Sequence, residues 1–192
     1  PSTRVGLHYR SSIKHELEGR ASFSDVPAAN ESIRADLRVP ESASLSFFSV
    51  ISPRWEVMAD VTWTRWSRIK SIVPVCQGTS AVVCAGAGSP LLGATLPTNW
   101  KDTWRLGVGA NYRHSDRLKF RFGLAYDPTP TNDKDRTARL PDEDRFWVAL
   151  GVQYAVSKAS RLEIAYAHEF VRDADVNTQV FCTNFRQRGH FE

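Results

Sequence analysis

Long apolar runs, helix-period segments and clustered charge are all missing from this 192-residue chain. No window approaches the ~20 consecutive apolar residues of a transmembrane helix, and mean hydropathy is −0.36. A membrane-crossing β-barrel escapes that average, because half of each of its strands is polar. Lys and Arg number 25 against 21 acidic residues, a net charge of +4. They stand singly, without a basic run or stripe, which speaks against a nucleic-acid partner. Cysteine is scarce, with three in all. Cys76 and Cys84 flank a Gly/Ser/Ala-rich stretch, a spacing that suits a small disulfide loop in an oxidising compartment but also allows two free thiols. Cys182 has no evident partner. The histidines (His8, His15, His114, His168 and His190) show no metal-ligand spacing. Gly107-x-Gly109 lacks the third glycine and the strand–helix context of a phosphate loop, and no G-x-S-x-G elbow is present. Asp142, Glu143 and Asp144 read as a solvated loop run. The chain is therefore not read as an enzyme, and no metal or cofactor is expected. It also lacks an initiator Met and a signal peptide, and is read as a mature piece or a fragment.

What is present is apolar and aromatic: 42% hydrophobic and 11% Phe, Trp and Tyr. That is too much for disorder, and the length suits a single domain over 1–192. The dominant signal is period two. Trp104, Leu106, Val108, Ala110 and Tyr112 alternate with Arg105, Gly107, Gly109, Asn111 and Arg113. Leu118, Phe120, Phe122, Leu124 and Tyr126 alternate with Lys119, Arg121, Gly123, Ala125 and Asp127. The pattern recurs at Phe146–Tyr154, at Leu162–Phe170, at Trp55–Trp63, and near the start at Val5, Leu7, Tyr9 and Ile13. Residues 35–50 are a weaker case, interrupted by Pro40. These segments predict seven strands of about ten residues. Short links fall near 52–54, 114–117 and 157–160, and long links near 14–34, 73–98, 128–143 and 172–192. Tight turns at one end and long loops at the other are the up-and-down pattern of an outer-membrane barrel.

A soluble sandwich would alternate too. Here the polar face mixes full charges with glycines, as a crowded lumen requires. The apolar rows end in Trp55, Tyr112 and Tyr154 beside the short turns, and in Trp63, Trp104 and Tyr126 beside the long loops. Such rings match the aromatic girdles of a membrane barrel. Glu56 and Asp60 fall within cross-strand reach of Arg105 and Arg113, which predicts a ladder of ion pairs inside the wall. The expected fold is all-β, an antiparallel up-and-down transmembrane barrel.

Pro141-Asp142-Glu143-Asp144-Arg145-Phe146-Trp147 resembles the P-D-x-D-R-F-W signature of the FadL-type outer-membrane transporters of long-chain fatty acids and aromatic hydrocarbons. Asn99-Trp100-Lys101-Asp102-Thr103-Trp104-Arg105, Pro53-Arg54-Trp55 with Thr64-Arg65-Trp66-Ser67, and Gly123-Leu124-Ala125-Tyr126-Asp127-Pro128-Thr129-Pro130 resemble further segments of that family, in family order. The resemblance implies a fourteen-stranded barrel plugged by an N-terminal hatch, monomeric when full length and embedded in outer-membrane lipid and lipopolysaccharide. This chain would be about seven of its strands, without the hatch, the first strands or the final strand. Seven strands cannot close without open edges, so an open curved sheet or a forced small barrel is expected.

The implied function is passive transport of hydrophobic compounds, most simply long-chain fatty acids, across the bacterial outer membrane. An apolar trough and a cation would serve an acyl chain and its carboxylate. The inward or rim cations Lys101, Arg105 and Arg145, the inward Trp147, and Leu91 and Leu92 of the greasy 73–98 loop are the candidate ligand-lining residues. Simpler roles stand beside each: ion pairs with Asp102 or Asp144 for the cations, and packing within the loop for the leucines. No base precedes Trp100 in Leu96-Pro97-Thr98, so an uncharged hydrocarbon is the alternative ligand. A receptor barrel with binding loops and a soluble lipid-binding β-protein are the rival functions.

Overall fold

Every period-two segment becomes a strand in the computed structural model, which describes residues 2–78 and 82–176 and the backbone of a short strand at 189–191. The strands are β1 (Thr3–Arg10), β2 (Ile13–Ala21), β3 (Glu31–Val39), β4 (Ser42–Val50), β5 (Trp55–Thr64), β6 (Ser71–Ile72), β7 (Val75–Cys76), β8 (Leu96–Pro97), β9 (Thr103–Arg113), β10 (Leu118–Asp127), β11 (Arg145–Ala155), β12 (Arg161–Val171), β13 (Ala174–Val176) and β14 (Gly189–Phe191). Seven of them form one antiparallel sheet in the order β1-β4-β5-β9-β10-β11-β12. The sheet is open, with β1 and β12 as its edges, as the strand count requires.

The three tight links share one device. Ser52 Oγ accepts from the N–H groups of Arg54 and Trp55, Ser115 Oγ from those of Arg117 and Leu118, and Ser157 Oγ from those of Ala159 and Ser160, all at 3.1–3.3 Å. A serine opening each turn thus satisfies the donors that leave the ladder.

The long link expected at 14–34 is not a loop over most of its length. β2 and β3 pair there, and Ile13 faces Val39 in the same register that sets Arg10 opposite Ser42. The outer hairpin is therefore one ladder running from Thr3 to Val50, broken only at residues 11–12 and 40–41. Pro40 has no N–H to give and breaks pairing where it stands. Ile13 accordingly belongs to β2 rather than to the first strand, and residues 35–39 to β3. The expected link at 73–98 also carries structure: β7 adds to the edge of β3, and β6 pairs with β8.

The outward face of the sheet is bare. Leu7 is 83% exposed, Ile164 67%, Leu150 52% and Phe122 45%. Among the described residues the buried hydrophobics are Ala29, Ile69, Cys76, Cys84, Leu91, Ala174 and Val176. None of these lies in the seven-stranded sheet. A soluble sandwich would have buried these large side chains between two layers, at about 25 cal/mol gained per Å² removed from water. This sheet leaves that area for another apolar phase. Aromatic pairs bracket it: Trp55 and Tyr112 are 4.8 Å apart by ring centroids at the short-turn end, and Trp63 and Trp104 are 6.5 Å apart at the long-link end. These are the two girdles of a membrane-spanning wall.

Candidate functional site

The inward face is organised in rows that the register fixes. Near the short turns, Glu56 accepts from Asn111 at 2.8 Å and pairs with Lys119 at 3.2 Å and Arg113 at 4.0 Å. Arg121 donates to Gln153 at 2.7 Å and pairs with Glu163 at 3.2 Å. Toward the long links, Arg105 pairs with Asp60 at 3.3 Å. Arg145 pairs with Asp142, which also accepts from Thr129 Oγ1 at 2.7 Å, and with Glu169 at 3.6 Å. The expected ladder of ion pairs is present, and it leaves the charge of this wall largely self-matched.

Between the two charged zones the wall is small and uncharged. Gly109 faces Gly123, Gly123 faces Ala149, and Ala149 faces Ala167 across β9 to β12. Two of the inward glycines lie under close neighbours, the movable Asp60 carboxylate over Gly107 and a side chain with a backbone carbonyl over Gly109. A Cβ on Gly107 would stand 2.6 Å from Asp60 Oδ1, and one on Gly109 would stand 3.0 Å from Met58 Cγ and 3.2 Å from the Phe122 carbonyl oxygen. The result is a cavity of about 320 Å³ lined by Met58, Asp60, Arg105, Gly107, Gly109 and Trp147, among others. An apolar floor with a few polar groups at its rim is what a site for a hydrophobic molecule needs.

The candidate residues fall into three places. Arg105 and Trp147 come together in this cavity. Arg145 sits at its long-link side, held by its two carboxylates and by the Glu143 carbonyl. Lys101 is exposed at the rim, its backbone N–H donating to the Pro130 carbonyl at 2.9 Å. Leu91 and Leu92 are elsewhere. Leu91 is 7% exposed, packed with the Cys76–Cys84 disulfide and against Ile33 and Ala21, while Leu92 is 78% exposed on the loop. The greasy composition of 73–98 supplies a small core beneath a disulfide, not a lining for the cavity. Cys182 lies outside the described residues.

The acidic signature run is not solvated in the way its composition suggests. Asp144 accepts from Thr129 N at 2.9 Å and from the Tyr126 hydroxyl at 2.7 Å. Partial burial pushes its carboxyl up, but those hydrogen bonds and the nearby Lys101 and Arg172 outweigh it, so the net shift is downward. Glu143 and Asp133 hold Arg136 at 2.5 and 2.6 Å, and Arg136 also donates to the carbonyls of Asp142 and Asp175. The Arg136 side chain is 1% exposed, and a buried guanidinium persists only when its donors are met this fully. It ties the 128–144 link to the chain leaving β12. Glu41 plays a matching role next to β4. Its carboxylate bonds Arg68 and Arg65 at 2.6–3.0 Å. The Arg68 hydrogen bond leads in lowering its pKa to about 2. Neither residue stands out in the sequence, because isolated charges in loops carry no spacing signal.

The family model for outer membrane protein transport proteins (OMPP1/FadL/TodX) matches residues 1–190. An outer membrane protein of Neisseria meningitidis serogroup B is 31% identical over 91% of this chain and 40% of its own length. The long-chain fatty acid transport protein of Escherichia coli K12 is 26% identical over 92% of this chain and 40% of its own length. Among solved structures, a Pseudomonas aeruginosa FadL homologue aligns over 92% of this chain and 43% of its own, with a TM-score of 0.79 and 26% identity. A TodX monoaromatic hydrocarbon channel aligns over 91% and 42%, with a TM-score of 0.64 and 20% identity, a likeness of fold. The chain thus spans about two fifths of the relatives it matches. The family is one of outer-membrane transport proteins, and the bare apolar face, the girdles and the inward charge of this sheet agree with that location. The chain is a stretch of bacterial outer-membrane β-barrel and belongs to the OMPP1/FadL/TodX transport family.

Proposed function

We propose that the protein containing this chain carries hydrophobic compounds passively across the outer membrane, long-chain fatty acids foremost, by binding and diffusion along the inner wall. The observation behind the reading is the glycine-floored cavity, set on the inward face of a sheet whose outward face is predominantly apolar. Arg105 and Trp147 would meet the ligand inside, with Lys101 and Arg145 at the entrance. Lys101 has no carboxylate within 4.0 Å among the described residues, so it is the freer of the two entrance cations. Arg145 is already committed to Asp142 and Glu169. A catalytic role has no constellation behind it. The whole barrel would be a monomer, with lipid and lipopolysaccharide against the apolar face.

Uptake of labelled oleate by cells carrying the full-length protein, against the same strain without it, tests the proposal. Faster uptake is expected, and equal uptake rejects it. A receptor role is favoured by one feature, the β2–β3 hairpin that prolongs the outer ladder beyond the sheet. Removing residues 14–38 should abolish partner adsorption and spare oleate uptake if that second role exists.

A further inference from the structure

The two ends of the sheet treat charge differently. At the long-link end Glu41 holds Arg65 and Arg68, Asp142 and Glu169 hold Arg145, and Glu143 and Asp133 hold Arg136. The three tight links instead carry Arg54, Arg117 and Lys158 against one acid, Asp116. All three cations are exposed, and among the described residues none has a carboxylate within 4.0 Å. The links that hold Arg54 and Arg117 have paired strands on both sides. Their bare cations are therefore not a product of an open sheet edge.

Turn chemistry lines these cations up. Ser52 accepts from the N–H of Arg54 and Ser115 from that of Arg117. The Arg54 carbonyl accepts from Arg113 N, and the Arg117 carbonyl from Ala155 N, both at 2.8 Å, so each turn is tied to the next hairpin. In strand order successive links stand two strands apart, or about 10 Å. The outcome is a basic row along the rim.

Depth selects the partner. Arg54 adjoins Trp55 of the short-turn girdle. The His114 ring, in the same link as Arg117, lies 6.3 Å from that of Tyr112 and 6.1 Å from that of Phe120. Links of this length that fold back rise by about two residues, or ~7 Å. The headgroup layer on one side of a bilayer is about 5–7 Å thick, half the difference between a ~30 Å core and the ~40–45 Å total. Ile51 and Val156, which enter two of the links, are 63% and 58% exposed. A rim standing in water gains nothing from an apolar collar directly beside its cations. A rim at the level of lipid phosphates does, and Arg offers a phosphate two parallel N–H donors where Lys offers a point charge.

We propose that the short-turn rim, which faces the periplasm in an outer-membrane barrel, binds anionic phospholipid of that leaflet. Arg54, Arg117 and Lys158 take the phosphates, and Ile51 and Val156 reach the first acyl carbons. This surface depends on the outer-membrane location and not on what the barrel carries.

The test uses the full-length protein in phosphatidylcholine vesicles, with Cys182 replaced and a fluorophore on Ala159→Cys. Trace phosphatidylglycerol or phosphatidylcholine carrying a nitroxide on its head group serves as a short-range quencher. At low salt the anionic lipid should quench about fivefold more effectively, the scale of one cation at an anionic surface. The excess should shrink toward equality in about 0.5 M salt, and also in the combined variant Arg54→Gln, Arg117→Gln, Lys158→Gln. Removing charge at the other end, with Lys70→Gln, Lys134→Gln and Arg139→Gln, should leave the excess intact. Equal quenching by the two lipids in the otherwise unaltered protein overturns the proposal. So does an excess that survives the rim variant, or one that ignores salt, which is the deciding readout if that variant does not fold. Quenching by neither lipid also overturns it, because the turns would then stand clear of the headgroups, as a soluble acidic partner would require.

Discussion

The seven-stranded sheet and the cap formed by its long links are stabilised in opposite ways. The sheet turns Leu7, Leu150 and Ile164 outward and holds itself together by backbone ladders and matched inward charges. The cap buries its hydrophobics and closes a loop with the Cys76–Cys84 disulfide. It also sinks Arg136 and Glu41 among their partners. A wall in lipid obtains its apolar contacts from the membrane. A cap in water, too small for a large core, relies on a covalent tie and on charges met by several hydrogen bonds each. The same chain therefore obeys two solvent rules, with the border at the aromatic girdles.

That contrast predicts where substitutions act, in the full-length protein. Arg136→Ala should have the largest effect, because it strands Glu143 in a partly buried setting. Local opening of the cap should become easier by about 3–5 kcal/mol. Hydrogen exchange should rise sharply over 129–144 and stay slow in β9 to β11. Slow exchange throughout would mean that the cap does not depend on this guanidinium.

Leu150→Arg, on the lipid face near mid-strand, should cost about 2–4 kcal/mol in urea unfolding from lipid vesicles. The same change at exposed Leu92 in the cap should stay within about 0.5 kcal/mol. Comparable costs would erase the difference between the regions. Replacing Cys76 and Cys84 by Ser should cost the cap about 2–3 kcal/mol, read as faster proteolysis between 71 and 98 with the sheet's unfolding midpoint unmoved.

The smallest effect is set by pH. The Glu41 carboxyl is lowered from 4.5 to about 2, so the folded state favours the charged form. Its stabilisation is full above the unfolded value, declines below about pH 4.5, and is gone once the pH has fallen through about 2. Emission from Trp66, whose ring packs 5.4 Å from that of Trp100, should hold from pH 7 to 5 and change below. Glu41→Gln should abolish that pH dependence.

The sheet was legible in the sequence because each strand meets two different environments, and period two records that contrast directly. Trp104, Leu106 and Val108 against Arg105, Gly107 and Gly109 already state which side is which. The inward ion pairs followed from adjacency of Glu56 and Asp60 to the arginines of the next strand. β2 and the start of β3 read as a link, and residues 35–39 only as part of a weak strand, even though Ile33, Ala35, Leu37 and Val39 alternate. Pro40 and Glu41 interrupt the run, and beyond the girdle the contrast of environments weakens. Leu91 drew attention as greasy and exposed, yet its apolar side chain is spent on a core made with residues as distant as Ile33 and Ala21. Arg136 and Glu41 carried no local signal. What distinguishes them is which residues the fold brings to them, as Arg68 to Glu41 and Asp175 to Arg136, across gaps of tens of residues.

The central claim is the direction in which the two faces point. Single cysteines at 150 and 151 of the full-length protein, with Cys182 replaced, can carry an environment-sensitive fluorophore in lipid vesicles. Brominated lipid should quench the label at 150 and spare the one at 151, and aqueous iodide should do the reverse. Lipid quenching at 151 with iodide quenching at 150 would contradict the assignment of the wall, and with it the lumen on which the proposed function depends.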